Sequence, residues 1–313
     1  MLRFLFRDIP YRIHIRRRLI LTSLALVGLG AAGAQLVDPA RNPFADPQAL
    51  LALLWVWGAV LVLNAVIFPA GWIDALLGSL ALAILIVPSP LFLDDLAEAS
   101  KGAQPMSPLA ALLSAMAIWY ALFCVLVLVF CKLGSKIKMG QRRQQDNFRS
   151  TLPPEALRRA LSVSPNLGNG VRRCGPVDWT GWFPVSFTAV EPDPDGFRLS
   201  ENTHRYKARI VRDEAVYKLV EYQMEIEGRT STGRVEEWFE PDGTGTRYRM
   251  QEIHDHFDLP TALSYWLCDF GADHTRALLD AARGRTSPAI FTKPQRTATT
   301  SLARLFSWRR APT

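Results

Sequence analysis

Two rhythms of hydrophobic and polar residues divide the 313-residue chain. In the first, apolar positions run together without a period. Four such runs, Leu19–Val37, Ala49–Phe68, Trp72–Leu93 and Leu109–Cys131, match the roughly 20 helical residues that cross a hydrocarbon core. The third holds Asp74 near its start and Pro88 and Pro90 near its end, which predicts a shorter regular helix.

In the second, apolar positions alternate. Phe183, Val185 and Phe187 are spaced by small or polar residues, and "EPDPDG" (191–196) reads as a turn. Phe197 and Leu199 open another strand, in which His204, Tyr206, Ala208 and Ile210 alternate with Arg205, Lys207 and Arg209. Val220, Tyr222, Met224 and Ile226 repeat the pattern, as do Val235, Glu237 and Phe239 before the turn "EPDGTGT" (240–246) and a strand to about Phe257. Period two with one apolar face predicts an antiparallel sheet covered on one side. Helical spacing appears twice. "TLPPEALRRAL" (151–161) has prolines in its first turn and Leu157 and Leu161 four apart. A longer helix is predicted from an Asp258 cap and Pro260 to a stop at Gly284. Its stripe is Leu263, Leu267, Phe270, His274, Leu278 and Ala281, and Asp269, Asp273, Arg276 and Asp280 are expected on a solvated face.

Charge orients the apolar runs. Arg3, Arg7, Arg12, Arg16, Arg17 and Arg18 precede the first, and Lys132, Lys136, Lys138, Arg142, Arg143 and Arg149 follow the fourth. The loops between are acidic or uncharged, so the positive-inside rule places both termini in the cytoplasm of an inner membrane. The net charge of +7 is therefore read as orientation. Neither a zinc-finger spacing nor a basic stripe interleaved with stacking aromatics supports nucleic acid as a partner. "GLGAAG" (28–33) matches a dinucleotide fingerprint by letter, but within an apolar run it reads as small residues for close helix packing. "RRRLILTS" followed by "AGA" leaves a cleaved signal peptide as an alternative for the first run. Cys124, Cys131, Cys174 and Cys268 form no C-x-x-C, and no metal site or cofactor is predicted.

The domains expected are a basic segment (1–18), four transmembrane helices (19–131), a basic juxtamembrane linker (132–145), a folded domain (146–285) and a flexible basic tail (286–313). "SLARLFSWRR" in that tail has the character of a short interfacial helix. Arg16, Arg17, Arg18, Lys136, Lys138, Arg142, Arg143, Trp308 and Arg309 are the candidate membrane-surface residues. The stripe Arg205, Lys207 and Arg209 either lies against anionic lipid or pairs with Glu221, Gln223 or Glu225.

"FRSTLPPEALRRAL" (148–161), "GRVEEWFEPDGTGTRYRMQEI" (233–253) and "LPTALSYWLCDFGADHTRALLDAA" (259–282) together resemble the START-like (SRPBCC) superfamily over residues 146–285. The resemblance implies an α+β helix-grip fold: a curved antiparallel sheet around a long C-terminal helix, with an internal cavity that takes lipids, quinones or other hydrophobic molecules. Strand phase then puts Tyr248, Met250, Glu252, His254 and His256 towards that helix. Ile253 and Phe257 break the phase, and a bulge near Glu252 would reverse it beyond that point. The candidate ligand-binding residues are Tyr222, Met224, Tyr248, Met250, Glu252, His254, His256, Phe270 and His274, an apolar pocket with a polar end. Three functions compete. One is binding a hydrophobic ligand beside the bilayer. Another is a cyclase- or hydrolase-like enzyme with His254 or His256 as base. The third is a ligand-free module that assembles or regulates a membrane-protein partner.

Overall fold

A computed structural model describes residues 2–68, 70–91, 108–168, 171–192, 199–226, 229–255, 257–293 and 297. The chain forms two compact units. One is built from residues 13–134 and the other from residues 1–12 and 135–296.

The first unit is helical. Helices α2 (Arg17–Val37), α3 (Pro47–Ile67) and α4 (Trp72–Ile86) precede α5 (Pro108–Gly134). Four stretches, Arg17–Val37, Pro47–Ile67, Trp72–Leu91 and Leu113–Gly134, are long and apolar enough to cross a membrane. As the prolines predict, the regular part of α4 ends at Ile86. The "GLGAAG" stretch does the packing expected of it: a Cβ on Gly30 would stand 2.7 Å from Ala83 Cα, so α2 and α4 meet backbone to backbone. Tryptophans lock the other faces. Trp57 Nε1 donates to Ser79 Oγ at 2.9 Å, Trp119 Nε1 donates to the Gly78 carbonyl at 3.1 Å, and Trp119 stacks on Phe123.

The second unit is α+β. It comprises strands β1 (Arg142–Ser150), β2 (Arg172–Cys174), β3 (Trp182–Pro192), β4 (Leu199–Asp213), β5 (Tyr217–Ile226), β6 (Arg229–Asp242) and β7 (Gly245–His254). They form one antiparallel sheet in the order β1-β7-β6-β5-β4-β3-β2. Helix α6 (Pro154–Leu161) and the closing helices pack on one face, where Leu157, Leu161, Phe239, Tyr248, Leu278 and Leu279 form a core. Gly243, at φ +63°, permits the two-residue turn between β6 and β7. This is the helix-grip arrangement that the resemblance implies.

Two elements differ from their sequence patterns. The single closing helix is two, α7 (Leu259–Cys268) and α8 (Phe270–Ala282), because Asp269 takes a left-handed conformation (φ 50°, ψ 42°) that short polar side chains tolerate. Its ends are as predicted: Asp258 accepts from Thr261 N, and Gly284 stops it at φ +61°. The segment taken for a linker contributes β1, whose first residue, Arg142, lies opposite His254. Upstream of it, Met139 N donates to the Phe257 carbonyl and Leu259 N to that of Ile137.

The expected solvated face of the closing helix is also a difference. Asp273 and Asp280 are 3% and 2% exposed. Asp273 accepts from the backbone N–H groups of Ile290 and Phe291 at 2.9 and 2.7 Å, and from Tyr11 Oη at 2.8 Å. Asp280 accepts from Arg276 Nε and Ser287 Oγ. Residues 285–293 therefore fold back as a strap on α8, and Ala289, Ile290 and Phe291 are buried. Tyr11 belongs to helix α1 (Leu2–Ile15), so the N-terminal segment meets the same carboxylate. Helical periodicity alone cannot show this, because the partners that bury the acids lie outside the helix.

Candidate functional site

The site grows from two neighbouring rows of residues on the helix-facing side of the sheet. In the first row, Ala208, Tyr222, Gly233 and His254 lie opposite one another on β4 to β7. Gly233 lets the row work: a Cβ there would stand 2.2 Å from Tyr222 Oη. The tyrosine ring lies across this gap, and its hydroxyl hydrogen-bonds His254 Nδ1. In the second row, Val220, Val235, Glu252 and Gln144 lie opposite one another on β5, β6, β7 and β1.

Ring packing closes the other side. His254 stacks on Phe257 at 4.1 Å between centroids and meets Tyr265 of α7 edge-on at 5.6 Å. Tyr265 also touches Phe257 and Phe270. Gln144 crosses to the start of α8, where its Nε2 would stand 1.4 Å from a Cβ on Gly271.

Burial keeps the phenols protonated. Burial, with the Glu252 carboxylate beside it, raises the Tyr222 phenol well above its ordinary value. Burial and Glu252 likewise raise Tyr265, and burial raises Tyr206. The protonated phenol and Nδ1 share one hydrogen bond, whose direction follows the imidazole tautomer. The ring's Nε2 faces Glu252 Oε1 at 3.3 Å, yet it makes no hydrogen bond, although His254 is only 7% exposed. Gln144 Oε1 is likewise buried without a hydrogen-bond partner. Buried polar atoms are ordinarily paired, and these two lie on adjacent strands. On α8, burial lowers the His274 imidazole to about 4, with nearby Arg172 adding to the effect and Glu252 opposing it.

The two ends of the sheet are spent on structure. Tyr248 donates to Glu237 at 2.9 Å, and Ser162 also donates to that carboxylate. Lys218 Nζ donates to the Val163 carbonyl at 2.7 Å and to Ser164 Oγ at 3.0 Å. Together they pin the end of α6. At the opposite end, Phe291 of the strap packs on Phe187, Phe270 and His274.

Strand phase therefore places Tyr222, Met224, Tyr248, Met250, Glu252 and His254 on the helix-facing side, with Phe270 and His274 opposite them. The pairing of β7 with both neighbours is unbroken to His254 and needs no bulge. Ile253 stays on the outer face between Arg143 and Arg234 and is buried there, and Phe257 reaches His254 only after the strand has ended. Tyr248 joins the α6 core rather than the His254 cluster. His256, Trp308 and Arg309, and the side chain of Arg142, lie outside the described residues.

Of the surface candidates, Arg18, Lys136, Lys138 and Arg143 are exposed, Arg17 donates to the His14 carbonyl, and Arg16 is 5% exposed. Arg209 pairs with Glu221 at 2.6 Å and stacks over Trp182, beside an outer-face groove of about 350 Å³. Pattern reading missed Gln144, Phe257, Tyr265 and Phe291. Gln144 sits in the inner phase of a strand hidden by its polar sequence, and the apolar triplet Ala289–Phe291 was the signal for the strap.

No family model matches this sequence, and neither does any curated protein sequence. Among solved structures, an uncharacterised protein from Rhizobium leguminosarum is 17% identical, covering 46% of this chain and 98% of its own, with a TM-score of 0.30. Ara h 8.0201 is 12% identical over 46% of this chain and 97% of its own, with a TM-score of 0.31. A major latex protein family member from Arabidopsis thaliana is 10% identical over 47% and 96%, with a TM-score of 0.29.

Proposed function

We propose that the α+β unit binds a hydrophobic molecule between the sheet and helices α7 and α8, and that the four apolar helices hold it at a bilayer. The observation that carries this reading is His254, almost fully buried, with an Nε2 that has no hydrogen bond. That nitrogen faces the Glu252 carboxylate at 3.3 Å without a hydrogen bond, and a ligand's polar group would compete for both. Around it, Tyr222, Phe257, Tyr265 and Phe270 supply the apolar walls that such sites use. The left-handed break at Asp269 separates α7, which carries Tyr265, from α8. Tethering to the bilayer raises the local concentration of a lipid- or quinone-like ligand without demanding high intrinsic affinity. Both termini are assigned to the cytoplasm by the flanking arginines and lysines.

Purification of the full chain in mild detergent, organic extraction and mass spectrometry test the binding. The expected result is one amphiphile near stoichiometry that falls several-fold in His254→Phe. Equal recovery from wild type and variant would remove the site. Reporter fusions at each terminus test the topology, and a periplasmic signal from either end would refute it.

A further inference from the structure

The chain just beyond α5 is not a free linker. Met139 N donates to the Phe257 carbonyl at 2.8 Å and Leu259 N to the Ile137 carbonyl at 3.0 Å, with Lys138 bridged to Asp258 between them. The segment that leaves α5 is therefore paired with the segment that enters α7. Ile137 stands three residues beyond Gly134, where the apolar stretch Leu113–Gly134 ends. Three residues reach at most about 11 Å. On the reading above that this stretch crosses a bilayer, α7 begins within that reach, plus one hydrogen bond, of the end of the span.

Helix α7 has the composition for that place. Its ten residues, "LPTALSYWLC", carry no charge. Trp266 is 54% exposed, and Leu263, Ala262 and Leu259, which precede it on the same stripe, are half-buried. Ile137 is 47% exposed between two exposed lysines, Lys136 and Lys138. Lys138 Nζ folds back to the Ser135 carbonyl at 3.0 Å, which keeps its charge beside the end of α5. Asp258, opposite Lys138, spends its carboxylate on the Thr261 N–H. An aromatic and aliphatic stripe with lysines at its rim suits the boundary between acyl chains and anionic headgroups. We propose that the Leu259–Leu263–Trp266 stripe of α7, together with Ile137, lies in the headgroup region of an anionic leaflet, with Lys136 and Lys138 on lipid phosphates. Tyr265, which meets His254, and Trp266, which meets lipid, are then neighbours on one helix.

The test uses the full chain in nanodiscs of phosphatidylcholine with a minority of phosphatidylglycerol. The photo-crosslinking residue p-benzoylphenylalanine replaces Trp266, Leu263 or, in α3, Trp55, which is 77% exposed. Illumination and mass spectrometry then identify what each position touches. Phospholipid adducts are expected at 266 and 263, with phosphatidylglycerol enriched about threefold or more over its share of the disc. Lys136→Gln combined with Lys138→Gln should return it to that share. If the variant at 266 does not fold, the one at 263 decides. Adducts to a second copy, to residues 298–313 of the same chain or to nothing would overturn the proposal, as would phosphatidylglycerol at no more than its share. Trp55 reads the crossing separately. Lipid adducts there and none on α7 overturn the docking alone, whereas none at Trp55 overturns the crossing itself.

Discussion

His274 makes the stability of the sheet-and-helix unit depend on acidity. Its imidazole ordinarily titrates near 6.5 and is lowered to about 4 in the fold, first by burial and then by Arg172. The unfolded chain therefore takes up a proton before the folded one as pH falls. The contribution of the neutral ring is complete above about 6.5 and is lost progressively towards 4. The two values differ by about 2.5, and each pH unit is worth about 1.4 kcal/mol, so the full loss is about 3.5 kcal/mol, of which roughly 3 falls between pH 6.5 and 4. Asp146 acts in the opposite sense, because burial raises its carboxyl. The measurement must therefore compare wild type with His274→Phe. Deuterium exchange of β5–β7 amides in the full chain, corrected for intrinsic rates, gives an opening free energy at each pH. Wild type should lose up to about 3 kcal/mol more than the variant between pH 6.5 and 4. Parallel curves would refute the reasoning, and a steeper curve in the variant would reverse its sign.

Three further changes probe separate contacts. Gly233→Ala drives a methyl into Tyr222 and should cost roughly 1–3 kcal/mol, read as a fall in the thermal midpoint; the penalty should shrink in a Tyr222→Leu background. Asp273→Asn weakens three hydrogen bonds at once and should cost roughly 2–3 kcal/mol. Its signature is faster deuterium exchange across residues 285–293, and unchanged protection there would contradict the strap. Gly30→Leu forces α2 away from Ala83 and should destabilise the helical unit by roughly 1–3 kcal/mol, read by detergent unfolding, whereas the same change at Gly28, which has no neighbour within 4 Å, should be mild.

The strand register of β5–β7 was legible because inner and outer residues alternate strictly from Val220 to His254, and the turn residues fix the pairing. The packing role of Gly30 followed from its apolar context. Other parts were hidden for physical reasons. Strand β1 reads "RRQQDNFRS", with Gln144 and Asp146 where apolar residues would announce an inner face. Polar residues there are tolerated because tertiary partners satisfy them: Asp146 bonds Thr275 of α8. Asp273 and Asp280 mimic a wet helix face until the strap covers them. The orphaned atoms of His254 and Gln144 have no sequence signature, since whether a buried atom finds a partner depends on three-dimensional neighbours alone.

The Tyr11–Asp273 contact joins residues 262 positions apart. Chains emerge from the ribosome N-terminus first, so helix α1 is made before any of the surface it will occupy exists. Asp273 cannot take its backbone partners until Phe291 has been synthesised. Throughout translation of the apolar helices, the first dozen residues must therefore wait without their final partner. Docking of Tyr11 on this carboxylate is therefore among the last contacts the folded unit can form.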